Sequence, residues 1–435
     1  MKKILLILMM SVFILACGGA NSGNKNKSGN TFILNVSAEP GSIDPQISTD
    51  IVGGSVNDLI TEGLLKMDKN KKVTGGLAEK WDVSQDGLVW TFHLRDGIKW
   101  SNGDPITAND FKAGWVRALD PEVASEYSYM LYPIKNAENF NSGKAKVEDL
   151  GIKVIDDKTL EVTLGASTPY FDDLVTFKTY RPLNEKFFKE VGEEYATKSD
   201  KMLSSGPYIL KSWVHDSEMK FEKNPNYYDQ ASLKVDNIVF KLISDNTAAF
   251  NAFKNGEIDA TQITVSQAKE FVKDPRLVST NDGSVWYLLM NNKLKELKNA
   301  KIRKAMLMAV NREELAQTVL NGSGKAAKTL VPAGIGIKGL SKEDFTEEVP
   351  TIIPTFNVEE AKKLFAEGLA ELGMTATDVK TISLVANGTD VAQKEAQFYQ
   401  EQLKVSLGLD VKIEPVTQQI RVQRMTAKDY QIVLA

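Results

Sequence analysis

The stretch Asp86–Phe111, DGLVWTFHLRDGIKWSNGDPITANDF, decides how the rest of the chain is read. Leu88, Trp90, Phe92 and Leu94 alternate with Val89, Thr91 and His93, the period of a strand with one apolar face. Asp96-Gly97 and Asn102-Gly103 are turn dipeptides. Thr107-Ala108-Asn109-Asp110 matches a capping box, with Thr107 as N-cap and the Asp110 carboxylate facing the free amides of the first turn. Phe111, Trp115 and Leu119 follow at helical spacing, and Asp120-Pro121 ends the helix. Aromatics beside carboxylates and a histidine could line a catalytic pocket, but here each has a place in a strand, a turn or a helix start. The stretch reads as scaffolding.

The N-terminus places the folded body outside the cytoplasm. Met1-Lys2-Lys3 is a basic n-region, and Ile4–Ala16 is an apolar run too short to span a bilayer comfortably. Ile14-Leu15-Ala16-Cys17 resembles a bacterial lipobox, in which the cysteine is acylated and becomes the new N-terminus. Cys17 is the only cysteine, so no intrachain disulfide can form. Two acyl chains suffice for stable anchoring where one does not. Residues 18–30, GGANSGNKNKSGN, cannot bury a core and read as a flexible tether with a reach of roughly 20 Å. No later apolar run is long enough for a transmembrane helix.

About 400 residues remain beyond the tether, enough for more than one core. The net charge of −4 becomes −6 once Lys2 and Lys3 are removed, and the charge is dispersed, which argues against nucleic acid as a partner. Lys69, Lys71 and Lys72 read as a solvated turn. Strand and helix signals alternate irregularly. Phe32–Val36 is a first strand; Ile152–Leu164 is a hairpin; Gly256–Ala260 reads as a short buried strand after a helix ending near Phe253. Ile302–Leu320 has one amphipathic period, and Phe356–Leu372 and Val391–Leu407 are further helices. Tyr430–Ala435 is a last strand, an unusual place for a chain to stop, so further sequence is expected beyond it.

An inventory leaves catalysis without a home. His93 and His215 are the only histidines; the first lies mid-strand opposite the aromatic stripe and the second in a turn, so Ser–His chemistry has no base. No paired-histidine or CxxC spacing exists to hold zinc, and no metal or other cofactor is expected. Gly322-Ser-Gly324-Lys325 fails as a phosphate loop, with Val319 and Ala326 in place of the required Gly and Ser/Thr. Gly334-Ile-Gly336-Ile-Lys-Gly339 matches GxGxxG, but Pro332 interrupts the lead-in and no βαβ unit surrounds it, so it reads as a surface loop. Acidic pairs such as Asp172-Asp173 are too common in a charged chain to mean acid–base chemistry.

The residues resemble the solute-binding lipoproteins of bacterial ABC importers that take up peptides, the peptide-binding family 5. Leu77-Ala-Glu-Lys-Trp81 through Asp104-Pro-Ile-Thr-Ala-Asn-Asp110 looks like that family's signature. Gly41-Ser-Ile-Asp44-Pro45, Thr61-Glu-Gly63-Leu-Leu65, Ser205-Gly206-Pro207-Tyr208, Gly256-Glu-Ile-Asp259, Asn291-Asn292, Ile302-Arg303-Lys304-Ala305 and Asn311-Arg312 continue it in order from Thr31 to Ala435. Asp120–Tyr127 with Tyr132-Pro-Ile-Lys-Asn-Ala137 looks most like the oligopeptide binders.

The resemblance implies an α/β, two-lobed, periplasmic-binding-protein-like (type II) fold closing over its ligand, with an extra α/β domain inserted in lobe I. On this chain lobe I takes 31–61 and 185–284, the inserted domain 62–184, and lobe II 285–435, incomplete at its C-terminal end; 1–17 is the signal peptide. It further implies an extracytoplasmic, lipid-anchored, monomeric receptor, in the periplasm or at the cell surface, that hands oligopeptides held in its cleft to ABC transporter permease subunits. Other solutes of the same fold (a nickel chelate, a sugar, haem) and a peptide sensor or adhesin without a transport role are the alternatives. Strand-like hydrogen bonds to the peptide main chain with roomy, hydrated side-chain pockets would serve many ligands. By position Thr49, Asp50 and Ile51 match the main-chain-pairing segment, Tyr127 an aromatic lining position and Asn387 a lobe II contact; Tyr127 reads equally as core packing and Asn387-Gly388 as a turn. The family's amine-binding carboxylate, expected after a strand like Tyr430–Ala435, is not in this sequence. No aromatic stands near Gln418, and Leu434 occupies a place where some members carry an arginine, so a pocket permissive for peptide length is expected.

Overall fold

In the computed structural model the described residues are 30–278, 283–335, 344–349, 351–379 and 381–435. The signal-peptide segment with Cys17, the tether up to residue 29, and Gly336 and Gly339 of the GxGxxG match lie outside them. The chain divides into two compact units, one ending at Thr261 and one beginning at Gln262. That division precedes the expected lobe boundary at 284/285. Its physical reason is that no described residue from 261 to 278 is buried, so this run belongs to neither core strongly.

In the first unit the strands are β1 (Thr31–Val36), β2 (Leu65–Met67), β3 (Val73–Gly75), β4 (Ala78–Val83), β5 (Val89–Leu94), β6 (Ile152–Asp156), β7 (Thr159–Thr163), β8 (Tyr208–Val214), β9 (Glu218–Lys223) and β10 (Asn237–Leu242). The stretch Asp86–Phe111 builds β5, the turns after it and the start of the next helix. β5 is central in an antiparallel sheet of order β4-β5-β7-β6, with Phe92 opposite both Trp81 and Leu160 and Trp90 opposite Val162. Trp90, Phe92 and Leu94 are buried, and Phe111, Trp115 and Leu119 of the helix Ala108–Leu119 are buried in the same core. The Asp110 carboxylate accepts from the Thr107 amide at 2.7 Å and its hydroxyl at 3.0 Å. Trp115 stacks edge-on against Tyr180 and donates its indole N–H to the Tyr180 carbonyl at 2.7 Å. Gly97 and Gly103 have φ of +70° and +93°, and open space surrounds the place a Cβ would take, so left-handed backbone rather than crowding requires glycine there. His93 points to the exposed side, 2.9 Å from Asp82.

A second core in the same unit joins chain segments from both sides of the first. It contains Val36, Ile43, Val56 and Ile60 together with Tyr208, Leu210, Met219, Phe221 and Phe240, whereas the first core runs from Leu64 to Tyr180. Its sheet has the order β1-β10-β9-β8, with β1 parallel to β10 and the other pairs antiparallel. The helix Ile51–Ile60 packs on it. Gly256–Ala260 is not the buried strand expected. Only Ile258 is buried, and Ala260 makes an isolated parallel bridge to Leu34, because the segment touches the sheet edge for too few residues to form a ladder.

The second unit has β11 (Leu288–Met290), β12 (Ile382–Asn387), β13 (Val411–Val416) and β14 (Ile432–Leu434) in the order β11-β14-β12-β13. Strand β12 is parallel to both neighbours and β11 is antiparallel. Helices Ala300–Met308, Val358–Glu371 and Asp390–Leu407 contribute to its core. The first two touch so closely that a Cβ on Gly368 would lie 2.7 Å from Ile302 Cγ1. Ile302–Leu320 is not one helix. Asn311 interrupts it and caps a second helix, Arg312–Thr318, accepting from the Glu314 amide at 3.2 Å.

Candidate binding site

The loop that follows β1 is fixed before it becomes exposed. Asp44 is buried and makes a two-pronged ion pair with Arg117, at 2.7 and 3.0 Å. Gln46 is buried, its amide donating to the Arg181 carbonyl at 3.1 Å, and its carbonyl accepts from the Ser125 hydroxyl at 2.5 Å. The chain then surfaces: Thr49 is exposed, Asp50 half-buried and Ile51 85% exposed.

Thr49–Ile51 spans the change from extended to helical backbone. Asp50 has extended backbone (φ −90°, ψ 161°), but Ile51 is already the first helical residue. The Asp50 carboxylate is engaged at the helix start, accepting from the Gly53 amide at 2.7 Å and the Gly41 amide at 3.1 Å. Asp50 therefore acts as an N-cap, and a ligand would meet its backbone rather than its charge. Among the described residues no hydrogen bond reaches the amides of Thr49 and Asp50 or the Thr49 carbonyl. Gly53 holds the curve: a Cβ there would sit 2.2 Å from the Ser42 carbonyl oxygen.

Tyr127 stands against this loop through one lysine. Its ring is half-buried, packs edge-on against Phe177 at 5.1 Å and lies 6.1 Å from Tyr129. Burial pushes its phenol above the ordinary value, with smaller contributions from Tyr129 and Glu126. The Lys178 ammonium lies 5.5 Å from the Tyr127 ring centre, 5.8 Å from that of Phe177 and 3.5 Å from the Ser48 hydroxyl. Burial pulls this ammonium below the usual lysine range, partly offset by Asp50 and Asp58. Lys178 is not a candidate from sequence. The only signal there is a lysine inside an aromatic run, Phe177-Lys178-Thr179-Tyr180.

In the second unit Asn387 is the last residue of β12. Its carbonyl accepts from the Gln393 side chain at 2.6 Å, and the next amide, of Gly388, donates to the Val416 carbonyl at 2.9 Å. From this end of β12 the chain runs through the helix Asp390–Leu407 to β13 on one side. It then returns through the helix Gln418–Ala427 to β14 on the other. β12 is thus a topological switch point, and the crevice outside the carboxyl end of such a strand is where open α/β sheets receive ligands. β1 is the edge strand of its own sheet, with the Ala260 bridge beyond it. Leu434 is fully buried and its carbonyl accepts from Arg421 at 2.8 Å. The side chain of Gln418 lies outside the described residues. Thr49, Asp50, Ile51 and Tyr127 thus fall in one neighbourhood of the first unit, and Asn387 belongs to the second. Among the described residues no group of three or more His, Cys, Asp or Glu is placed to hold a metal ion. Among them also, no helix is long and apolar enough to cross a membrane.

Comparison with known proteins gives three findings. Residues 72–435 match the model of the bacterial extracellular solute-binding proteins, family 5 Middle. The oligopeptide-binding protein OppA of Bacillus subtilis is 34% identical over 448 residues, covering 99% of this chain and 81% of the relative, and the dipeptide-binding protein DppE of the same organism is 32% identical over 416 residues, covering 94% and 76%. The structure of Listeria monocytogenes OppA bound to peptide superposes with a TM-score of 0.82 at 36% identity, covering 94% of this chain and 81% of that one. The fold is that of OppA-like, type II periplasmic-binding proteins, as the resemblance implies.

Proposed function

The chain belongs to the bacterial extracellular solute-binding proteins, family 5, and on that premise we propose that it captures oligopeptides outside the cytoplasmic membrane and delivers them to an ABC importer. The observation that carries this reading is the likeness, over 94% of the chain, to an OppA bound to peptide. The unpaired amides of Thr49 and Asp50 and the unpaired carbonyl of exposed Thr49 support it physically. A receptor for many peptides gains affinity from groups that every peptide shares, and backbone amides and carbonyls on a rigid base supply strand-like bonds without pre-organisation cost. Thr49, Asp50 and Ile51 form that edge and Tyr127 lines it; Asn387, at the end of β12, is the ligand contact in the second unit.

The domain assignment is part of the proposal. Residues 62–184 form an inserted domain, supported by a core running from Leu64 to Tyr180. Residues 31–61 and 185–284 form lobe I, and residues 285–435 lobe II, each supported by its own core. The receptor works as a monomer held to the membrane by an acylated Cys17. Labelling of growing cells with a radioactive fatty acid tests the anchor: label in the wild type and none in Cys17→Ser is expected, and equal label in both contradicts it. For the function itself, isothermal titration with di- to octapeptides should give saturable binding at several lengths; no binding at any length overturns the reading.

A further inference from the structure

We propose that Lys178 receives a carboxylate of the bound peptide and so gives the receptor a preference for acidic ligands; this rests on the peptide-binding reading above. Three other buried or half-buried cations of the first unit each have an anion of their own. Arg117 holds Asp44 at 2.7 Å, Arg181 holds Asp58 at 3.3 Å, and Lys66 holds Glu62 at 3.3 Å. Lys178 does not. Among the described residues no carboxylate lies within ion-pair distance of it, and its hydrogen-bonding neighbour is the Ser48 hydroxyl at the 3.5 Å limit.

The two acids that attract it are already engaged. Asp50 accepts from the Gly53 and Gly41 amides, and Asp58 from Arg181. What surrounds the ammonium instead is aromatic: Tyr127 and Phe177, each within 6 Å of the nitrogen. Cation–π attraction offsets part of the loss of water but leaves the charge without a carboxylate at ion-pair distance. The unpaired amides of Thr49 and Asp50 and the unpaired Thr49 carbonyl adjoin Ser48, where the helix Ile51–Ile60 begins under its Asp50 cap. A peptide paired to Thr49 and Asp50 would bring a side-chain or C-terminal carboxylate within reach of this nitrogen. A charge-assisted bond in a half-buried place is strong enough to shift affinity by about tenfold.

The test uses the whole purified chain and titration calorimetry with one neutral peptide, its variants carrying Glu at each position in turn, and C-terminally amidated forms of all. Wild type should bind one Glu variant about tenfold more tightly than the neutral parent if a side chain supplies the carboxylate. If the C-terminus supplies it, the free acid should instead be favoured over the amide by that factor. In Lys178→Met that ratio should collapse towards one, in Lys178→Arg it should persist, and in Lys178→Glu it should invert towards Lys-containing peptides. Wild type that favours neither a Glu variant over the neutral parent nor a free acid over its amide, or a ratio unchanged in Lys178→Met, overturns the proposal while leaving the peptide-receptor reading standing. Wild type binding none of the peptides overturns that reading, and the Lys178 proposal with it.

Discussion

Tyr227 donates its hydroxyl to Glu62 Oε2 at 2.5 Å, and Tyr228 donates to the other oxygen at 2.6 Å. Glu62 is only 4% exposed and stands where the chain passes from one core of the first unit to the other, with its amide bonded to Ser205 Oγ at 3.0 Å. Burial raises both phenols, Tyr227 well above its ordinary range, and the Glu62 charge adds to it, so each remains a donor. A buried carboxylate satisfied by two phenols and Lys66 stabilises one arrangement of the two cores. Removing it leaves both hydroxyls without their acceptor and Lys66 without its counter-ion, so Glu62→Ala should cost about 3 kcal/mol in denaturant unfolding and Tyr228→Phe about 1 kcal/mol. Equal, small losses would mean that the network contributes little.

Asp110 makes stability depend on pH in an uncommon direction. Burial pushes its carboxyl up to about 6 from 3.8, against the opposing pull of the Thr107 amide and hydroxyl. Below about pH 4 both folded and unfolded states hold the proton. Between about 4 and 6 the unfolded chain releases it while the folded one keeps it, so stability falls as pH rises, by about 3 kcal/mol in all. Asp110→Asn should remove that decline while retaining an acceptor for Thr107. The difference between the two proteins in unfolding free energy, followed from pH 4 to 7, isolates this group from the other carboxylates; a difference that stays constant over that range refutes the assignment.

Gly53 sets the position of the exposed backbone at Thr49. A Cβ at that residue meets the Ser42 carbonyl oxygen at 2.2 Å and Ser48 Oγ at 2.5 Å, whereas one at Gly54 meets only Lys178 Nζ at 3.5 Å. Gly53→Ala should therefore lose about 1–3 kcal/mol of stability and weaken peptide binding about tenfold. Gly54→Ala should affect both less. Thermal melts and titration calorimetry on the pair check the contrast.

Tyr127 contributes a ring face, held by Phe177 and Lys178. Tyr127→Ala should weaken peptide binding about tenfold, and Tyr127→Phe, which keeps the face, should weaken it less. If the two variants bind alike, the ring is core packing and no part of the site.

The scaffold is legible in the sequence because its signals are local. The period of Leu88–Leu94, the Asp-Gly and Asn-Gly turns and the Thr107–Asp110 cap each act within a few residues, and each appears where the pattern puts it. Where several signals compete, the pattern misleads. The amphipathic period of Ile302–Leu320 hides the Asn311 cap that divides it, and the apolar residues of Gly256–Ala260 look like a strand although only Ile258 is buried. Asp50 stands three residues before Gly53, a capping position visible in the sequence, yet its match to a ligand-pairing segment masks that role. Lys178 is out of reach of sequence altogether. Its meaning depends on Ser48, 130 residues away, and on Asp50 and Asp58 being occupied by other donors, which only the folded chain brings about.

The most direct test of peptide capture is native mass spectrometry of the protein purified without denaturation from the cells that make it. A peptide receptor of this kind should carry a family of non-covalent adducts that resolve, on dissociation, into peptides of mixed sequence, with acidic residues over-represented. A single non-peptide solute bound at full occupancy would contradict it.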